Sequence, residues 1–284
     1  MTPAEPGPPT SPRRELGDSV PAREARSAPV GPPRPSRVAA DIARARPPVN
    51  ASISVVLPAY NEVECIGEAL ERASEALQSG FVDWELIVVD DGSTDGTRAV
   101  VEAAEALDDR VRLAPHEENR GYGAALATGF GAARMELVGY TDSDLQFDFR
   151  EFETLARRMA DEDVEVVLGF RIYRYDTVLR CLLSWTYNRL VRVLFGVGVR
   201  DVDCAFKLFR REAVQSLVLE STNFFVDTEM VAETGRLGLR MVEQGVRHYP
   251  RYAGRTTVRP SDIPRTLRTV GRMWWTIRKR PKRA

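Results

Sequence analysis

Short apolar runs alternate with amphipathic stretches through the first part of the chain. The apolar runs are short, rich in Val, Ile and Leu, and typical of buried strands. Apolar residues between them recur at helical spacing. The predicted strands cover residues 53–60, 84–90, 111–114, 137–141 and 164–169, and the predicted helices cover 61–77, 94–107, the stretch after a glycine-rich turn, and 149–161. This alternation predicts an α/β fold, a mostly parallel sheet flanked by helices on both faces.

The pattern changes after residue 176. Residues 177–199 are apolar and aromatic, with Arg180, Arg189 and Arg192 as the only charged positions. A strand then turns into a helix at Arg211, residues 226–237 form a helix, 241–249 a strand, and the end of the chain is a basic amphipathic helix. Helices of this composition can lie in a membrane interface. Packing of 177–199 on the sheet, or against a second copy, is the competing interpretation.

Composition separates the amino-terminal segment from the rest of the 284 residues. Apolar residues make up 43 % and charged residues 29 %, an ordinary globular balance. Twelve of the 18 prolines lie within residues 1–50, with almost no large apolar side chains. Such a segment cannot bury enough surface to offset its ordering entropy. We therefore predict a disordered tail at 1–50, a catalytic domain at 51–258 and a basic helix at 259–284.

The charge and the cysteine content indicate which binding partners and which cellular compartment to expect. The net charge of −1 indicates no nucleic-acid partner, whereas residues 263–284 carry eight basic and no acidic residues, which suits anionic headgroups. The three scattered cysteines indicate neither a disulfide framework nor a zinc site. No apolar run is long enough to span a bilayer, and no secretory signal is visible. We expect a cytoplasmic protein, peripheral on the inner face of the cell membrane.

Two acidic motifs carry the sharpest chemical signal. Asp90 and Asp91 end the second predicted strand, and Asp142, Asp144 and Gln146 follow the fourth. Ligands of open α/β sheets bind at the carboxyl ends of the strands. In extended backbone, Asp142, Asp144 and Gln146 project to one side. Their hard oxygens suit Mg²⁺ or Mn²⁺, which accompany substrate phosphates, so the pattern predicts a nucleotide diphosphate held through a cation.

Two further motifs each allow a functional and a plain structural interpretation. In VVLPAYNE, Tyr60 can stack on a nucleobase and Glu62 can accept hydrogen bonds from base or ribose; alternatively the motif is a strand-to-helix turn capped by Asn61. In NRGYGAALATGF, the glycines can let backbone amides approach a phosphate at a helix start. A closely packed helix start explains the same glycines equally well.

The order VVLPAYNE, VVDDGSTDGT, NRGYGAALATGF and TDSDLQFDF, over about residues 53–149, resembles family 2 glycosyltransferases. GFRIYRYDTVLRCLLSWTYNRLVRVLFGVGVRDVDCAFKLFRRE, the later HYPRYAG and the basic end resemble its polyprenyl-phosphate, dolichol-phosphate mannosyltransferase-like branch. The resemblance covers about residues 53–277. It implies a GT-A-type (Rossmann-like) sheet, with amphipathic interfacial helices in the carboxy-terminal half. It also implies an inverting, metal-dependent transfer of mannose or glucose from GDP-mannose or UDP-glucose to a polyprenyl phosphate.

The resemblance also implies residue roles. Nucleoside contacts fall on Pro58, Tyr60 and Glu62, with Asp90 or Asp91 on the base or ribose. The metal and diphosphate fall to Asp142, Asp144 and Gln146, with Asp144 and Arg171 as catalytic residues. Arg171 would bind phosphate, and Arg180 and Lys207 would meet the lipid phosphate or pyrophosphate. Relatives often carry Ser-Gly-Phe-Arg where this chain has Cys204 to Lys207, which leaves the role of Lys207 open because lysine lacks the bidentate fork.

The acceptor chemistry agrees with this set of residues. A sugar hydroxyl needs a general base, whereas a phosphate monoester, with a second pKa of about 6, needs positioning and neutralisation. The histidines, His116 and His248, are not expected to act directly. Two rival functions remain: the same transferase with a soluble or polysaccharide acceptor, and a non-catalytic membrane adaptor on this scaffold.

Overall fold

The structure, a computed structural model, describes residues 47–172, 178–250 and 263–280, with side chains from 184 and from 266 onwards in the last two segments. Its strands are β1 (Val49–Ala59), β2 (Phe81–Asp91), β3 (Val111–His116), β4 (Leu137–Thr141), β5 (Val166–Arg171), β6 (Phe206–Arg210) and β7 (Met241–Val246). Its helices are α1 (Ile66–Gly80), α2 (Thr97–Glu105), α3 (Tyr122–Ala132), α4 (Glu151–Asp161), α5 (Val178–Phe195), α6 (Arg211–Ser216), α7 (Val226–Leu237) and α8 (Ile263–Lys279).

These strands form one sheet in the order β3-β2-β1-β4-β6-β5-β7. The β1–β2, β1–β4, β2–β3 and β5–β7 pairs are parallel, whereas β6 runs antiparallel to both of its neighbours. The predicted mostly parallel α/β sheet is confirmed. The reversed direction of β6 was not predicted, because an apolar strand reads the same in either direction. Its consequence is that the start of β6 meets the carboxyl ends of β4 and β5.

Two apolar layers hold the helices on the sheet. On one face, α1, α2 and α4 pack on alternate residues of the central strands, with Phe152 stacked on Phe206. On the other face, α3, α5, α6 and α7 pack around Phe130, Tyr140 and Phe209. Burial of both faces explains why the central strands read as continuous apolar runs.

The predicted elements agree closely with the observed ones, and their ends differ by a few residues. The helix expected from residue 61 begins at Ile66 instead, because residues 61–65 form the turn that leaves β1. β1 begins at Val49, two residues before the predicted start of the catalytic domain. The predicted disordered segment lies almost entirely outside the described residues, as do residues 259–262 of the predicted basic helix.

Helix α8 packs across α5 and α7 through a separate apolar cluster. Val270, Met273 and Ile277 face Phe225 and Ala232, and the indole Nε1 of Trp274 donates to the carbonyl of Leu194 at 2.8 Å. Among the described helices, none is both long enough and apolar enough to cross a membrane. One face of the amphipathic helix α8 thus packs on the protein, and the opposite face is exposed.

Candidate active site

The topology gathers the predicted functional residues at one edge of the sheet. β1, β2, β4 and β5 run in the same direction, so their carboxyl ends share that edge. Tyr60, Asp91, Asp142 and Arg171 lie at those four ends. The pairing of Thr141 with Phe206 brings the segment before β6 to the same place. The sequence prediction that these residues converge is therefore consistent with the strand order.

The acidic motif after β4 is a turn, and the prediction that it is extended is wrong. Leu145 has a left-handed backbone, with φ of 61°, a conformation that costs a non-glycine residue about 1 kcal/mol or more. The turn buries the Leu145 side chain in the core. The carboxylate of Asp144 folds back to accept the N–H of Gln146 at 3.1 Å. Alternation therefore does not align these side chains; the turn decides where each carboxylate lies.

The segment after β7 closes this turn from the other side. Gln146 accepts the N–H of Tyr249 at 2.8 Å through its carbonyl, and its side-chain Nε2 donates to the Tyr249 carbonyl at 3.0 Å. Phe147 forms a bridge with His248, and their rings meet edge to face at 5.1 Å. His248 was not expected at the site. Only the pairing of residues about a hundred positions apart brings it there.

The residues after β4 fit a divalent cation held together with a substrate diphosphate. No group of three or more His, Cys, Asp or Glu residues within the described ranges is arranged to hold a metal alone. Mg²⁺ typically takes one or two carboxylates and completes its shell with water and substrate phosphates. Asp142 and Asp144 supply such a pair of hard oxygen donors at the carboxyl end of β4, and the Gln146 side chain, which donates to Tyr249 through Nε2, has an amide oxygen as a further hard donor.

The end of β1 lies beside the acidic turn. The hydroxyl of Ser143 donates to the Pro58 carbonyl at 3.1 Å, which ties the two strand ends together. Tyr60 is 47 % exposed, an open ring at this edge. Glu62 accepts the N–H of Ile66 through its carbonyl, and the Cys65 thiol donates to its carboxylate at 3.0 Å. Pro58, Tyr60 and Glu62 thus lie together at the carboxyl end of β1, beside the acidic turn.

Asn61 does not cap α1, and the structure gives it another role. Its side-chain oxygen accepts the N–H of Thr94 at 2.8 Å, and its own N–H donates to Ser93. Asp95 accepts the N–H groups of Val63 and Thr97. These bonds join the turn after β1 to the turn after β2. They fix the backbone that directly follows Tyr60.

Asp90 and Asp91 are both buried, and each has donors within the protein. Asp90 accepts Nε of Arg98 at 2.8 Å and the N–H of Ser93. Asp91 accepts the N–H groups of Arg120 and Gly121 at 2.9 and 2.8 Å, and Nδ1 of His116 lies 2.6 Å from it. Both acids are engaged by groups of the protein itself, and the expected contact with the nucleoside stays a prediction. Their bonds organise the surrounding turns.

The glycine-rich turn before α3 has its backbone donors occupied by the protein itself. Asp91 takes two of them, and the N–H of Gly123 donates to the Thr222 carbonyl at 2.9 Å. A Cβ on Gly123 would lie 1.9 Å from the Ser221 carbonyl oxygen, and one on Gly121 would lie 2.2 Å from that of Thr222. Of the two interpretations left open, close packing at the helix start is the one that the structure supports.

Arg171 is held in a bidentate pair at the end of β5. Its Nε and Nη2 donate to the two carboxylate oxygens of Asp201 at 2.7 and 2.8 Å, and the side chain is 17 % exposed. Burial opposes the charge, but the hydrogen bonds that Arg171 donates to Asp201, together with the negative charge of Asp201, outweigh that effect and raise the pKa of Arg171. The guanidinium is therefore a fixed positive charge at the edge that bears the acidic motif.

Lys207 does not reach this edge. It is fully buried, and Nζ donates to the Tyr140 hydroxyl at 2.8 Å, the Cys204 carbonyl and the Asp227 carboxylate. These three acceptors match the three donors of an ammonium group. The predicted contact between Lys207 and a substrate phosphate therefore has no donor available in this structure. The side chain of Arg180, the other predicted phosphate contact, lies outside the described residues.

Asp203 is a half-buried carboxylate between these two pairs. Burial first, and then the negative charges of Asp227 and Asp201, raise the pKa of Asp203 to about 7. Burial raises the pKa of the neighbouring Tyr187 as well, and its hydroxyl lies 2.6 Å from that of Thr228. Asp203 was not predicted from the sequence as a site residue, because its environment forms only where β5, β6 and α7 meet in the fold.

The chain is similar in sequence to a known family and to several known proteins. The model of the family "Glycosyl transferase family 2" matches residues 54–218. Glycosyltransferase AglD of Haloferax volcanii is 35 % identical over 81 % of this chain and 38 % of its own length. Dodecaprenyl-phosphate galacturonate synthase of Rhizobium johnstonii is 30 % identical over 77 % of this chain and 64 % of its own. An undecaprenyl-phosphate 4-deoxy-4-formamido-L-arabinose transferase of Klebsiella pneumoniae is 33 % identical over 61 % of this chain and 52 % of its own.

Solved structures share the fold at lower identity. Glucosyl-3-phosphoglycerate synthase of Mycobacterium tuberculosis, in complex with Mn²⁺, UDP and phosphoglyceric acid, has a TM-score of 0.65 at 23 % identity and covers 88 % of this chain and 85 % of its own. Mannosyltransferase PcManGT of Pyrobaculum calidifontis, in complex with GDP-Man and Mn²⁺, has a TM-score of 0.59 at 22 % identity and covers 84 % and 67 %. At these identities the likeness concerns the fold. It confirms the expected GT-A-like arrangement.

Proposed function

The chain belongs to glycosyl transferase family 2, and from that premise we propose that it transfers a hexose from a nucleotide-diphosphate sugar to a polyprenyl phosphate. Two of the curated relatives carry a polyprenyl phosphate in their names. The chain spans about two fifths to two thirds of the length of these relatives. GDP-mannose and UDP-glucose are the donors that we propose to test first.

The observation that carries the proposal is the shared edge of β4 and β5. One strand ends in the carboxylates of Asp142 and Asp144, and the other ends in Arg171, which Asp201 holds in place. A carboxylate pair suits a cation-bound diphosphate, whereas a fixed guanidinium suits a phosphate. One edge thus offers separate chemistry for a donor diphosphate and for a phosphate acceptor.

The roles on the donor side follow from the turns around Tyr60. Its open ring provides a stacking surface for a nucleobase, and Glu62 provides hydrogen-bond acceptors for base or ribose. Pro58 fixes the end of β1 next to the acidic motif through Ser143. Asp142, Asp144 and Gln146 would hold Mg²⁺ or Mn²⁺, and that cation would stabilise the charge of the leaving diphosphate. Asp90 and Asp91 would act indirectly on the donor side of the site, because their hydrogen bonds hold the surrounding turns in place.

The acceptor side needs a positive charge and no general base. The acceptor phosphate carries most of its second negative charge at neutral pH, since its second pKa is about 6. Arg171 would orient it for in-line displacement at the anomeric carbon and offset its charge as it approaches the diphosphate. The new bond forms between a phosphate oxygen and the anomeric carbon as the bond to the nucleoside diphosphate breaks. The transfer therefore inverts that carbon.

A polyprenyl acceptor requires contact with a bilayer surface, and α8 has a suitable outer face. Arg268, Arg272, Trp275 and Lys279 are exposed at spacings of four, three and four residues, so they form one stripe. Trp275 is 56 % exposed, and Nζ of Lys279 lies 4.5 Å from its ring centre. On α5, Trp185 is 64 % exposed. Arginine, lysine and tryptophan together are typical of an interface with anionic lipid.

A transfer assay tests the proposal directly. The full chain would be incubated with radiolabelled GDP-mannose or UDP-glucose and a short polyprenyl phosphate in detergent, with and without Mg²⁺ or Mn²⁺. We expect a metal-dependent product that partitions into butanol. Arg171→Met should lower transfer to the lipid, and Arg268→Met, which changes an exposed residue of α8, should not alter transfer in detergent. Label on a soluble phosphate or a polysaccharide acceptor, with none in the organic phase, would overturn the proposed acceptor.

A flotation assay tests the membrane surface separately. The protein would be mixed with vesicles containing a quarter phosphatidylglycerol, and with neutral vesicles as the reference. Binding should need the anionic lipid, weaken as salt rises because the attraction is screened, and fall in the Arg268→Glu, Arg272→Glu variant. Equal binding of that variant and the unchanged protein would remove α8 from the proposed interface.

A further inference from the structure

Tyr122 connects the glycine-rich turn to the acidic motif. It is the first residue of α3, between Gly121 and Gly123, and its hydroxyl donates to Oδ1 of Asp142 at 2.9 Å. The two partners come from different strand ends, since α3 follows β3 and Asp142 follows β4. This bond thus joins the turn before α3 to the acidic motif after β4.

The backbone on both sides of Tyr122 is fixed by other parts of the protein. Before it, the N–H groups of Arg120 and Gly121 donate to the two carboxylate oxygens of Asp91. After it, the N–H of Gly123 donates to Thr222. Because both neighbours are glycines, the loop carrying Thr222 can approach within van der Waals contact of this turn. The direction of the Tyr122 side chain therefore follows from contacts that do not involve any substrate.

The hydroxyl is the donor of this hydrogen bond, because a carboxylate oxygen can only accept. A donor on one carboxylate oxygen restricts rotation of the group and directs the second oxygen.

From this geometry we propose that Tyr122 is a positioning residue, which orients the Asp142 carboxylate to receive the cation–diphosphate unit of the donor. The inference rests on the proposed function, because it assigns Asp142 to that unit. Tyr122 itself touches neither the cation nor the sugar in this scheme. Partners of this kind typically change metal affinity about 10- to 100-fold when removed.

Tyr122→Phe tests the inference by binding as well as turnover. Affinity for Mn²⁺ would be measured by isothermal titration of the full chain with UDP or GDP present. We expect the dissociation constant of Mn²⁺ to rise about tenfold, with little change in the affinity for nucleotide without metal. The pairing should also be non-additive: in an Asp142→Asn background, Tyr122→Phe should cause no further loss.

Tyr187→Phe is the matched control. It also removes the hydroxyl of a half-buried tyrosine, which bonds to Thr228 and is not among the contacts of the acidic motif. If Tyr122 had only a structural role, both variants would lose thermal stability alike and bind Mn²⁺ as the unchanged protein does, and the inference would fall. If the unchanged protein bound nucleotide with no response to Mg²⁺ or Mn²⁺, the proposed metal-dependent function itself would fail, which is a different result.

Discussion

The carboxylate of Asp91, at the end of β2, accepts the backbone N–H of Gly121 at 2.8 Å. Its other oxygen accepts the N–H of Arg120 and lies against His116. An anion at the start of a helix is common in phosphate sites, but here the anion is a side chain of the protein. The first acidic motif therefore holds the turn that carries Tyr122.

Asp91→Asn should lower the stability of the protein even when no substrate is bound. An amide has only one acceptor oxygen, so a buried N–H of the turn loses its partner, which costs about 1–3 kcal/mol. Urea unfolding without ligand should show this loss. Glu75→Gln, which neutralises an exposed acid on α1, should leave the midpoint unchanged. An Asp91→Asn protein of normal stability that binds nucleotide poorly would instead restore the direct nucleoside contact expected from the sequence.

Asp144→Asn should weaken binding of the metal while the protein stays folded. Removing one of two hard carboxylates lowers metal-dependent transfer, and we expect a loss of about 100-fold or more, equivalent to about 3 kcal/mol of transition-state stabilisation. Chelation of the cation in the unchanged protein should have an effect of similar size. Turnover would be measured at saturating donor over a range of Mn²⁺ concentrations. Near-normal activity of Asp144→Asn would exclude it from the metal site.

Lys207→Met should reduce stability, because Lys207 is buried and paired. The change leaves the Asp227 carboxylate without its cation, and breaking a buried pair typically costs about 3–5 kcal/mol. Replacing both partners, as in Lys207→Met with Asp227→Leu, should recover part of that loss. Chemical denaturation of the two variants would measure it. A stable Lys207→Met protein with weakened phosphate binding would support the substrate contact that the sequence suggested.

Asp203→Asn should change how stability depends on pH. The pKa of Asp203 is raised to about 7 in the folded protein, against about 3.9 in an unfolded chain. Between these values the folded state holds the extra proton, so this contribution to stability is complete below the unfolded pKa and is lost as the pH rises through about 7. Asparagine stays neutral throughout. The variant should therefore gain stability relative to the unchanged protein as the pH rises towards about 8.

Urea midpoints at a series of pH values would measure this difference. Asp161→Asn, at an exposed aspartate on α4, is the control and should follow the unchanged protein at every pH. A constant offset between Asp203→Asn and the unchanged protein would contradict the raised pKa.

Arg280→Met should loosen α8 from the rest of the protein. Nη1 of Arg280 donates to Glu233 and to the Val218 carbonyl at 2.7 Å each, and Nη2 lies 3.4 Å from Glu229. Both glutamates are buried on α7. Glu233 keeps a second cation in Arg236, so we expect a loss towards the lower end of the roughly 3–5 kcal/mol typical of broken buried pairs.

Hydrogen exchange would detect this loosening as faster exchange of α8 amides. Arg272→Met, on the exposed stripe of the same helix, should leave exchange unchanged and weaken vesicle binding instead. Unchanged exchange in Arg280→Met would show that the apolar contacts of Val270, Met273 and Ile277 hold α8 without the ion pairs.

Much of the fold could be predicted because strands and helices differ in local period. The pattern located β4 and α7 to the residue, whereas it placed the start of α1 five residues too early. The ends of the elements were less certain because capping depends on distant partners, as with Asn61, which bonds to Thr94 rather than to α1. The reversed β6 was missed, since a buried strand carries no local mark of its direction.

The sequence by itself determined the elements, the family and the set of residues at the carboxyl ends of the strands, because apolar periodicity and the order of the motifs are local properties. Only the tertiary structure decided what each of these residues does. Asp91 has donors from the turn before α3, Lys207 is enclosed by Tyr140 and Asp227, and His248 lies beside Phe147. The reason is physical: a buried charge is stable only with partners, and partners from distant parts of the chain meet only when it folds.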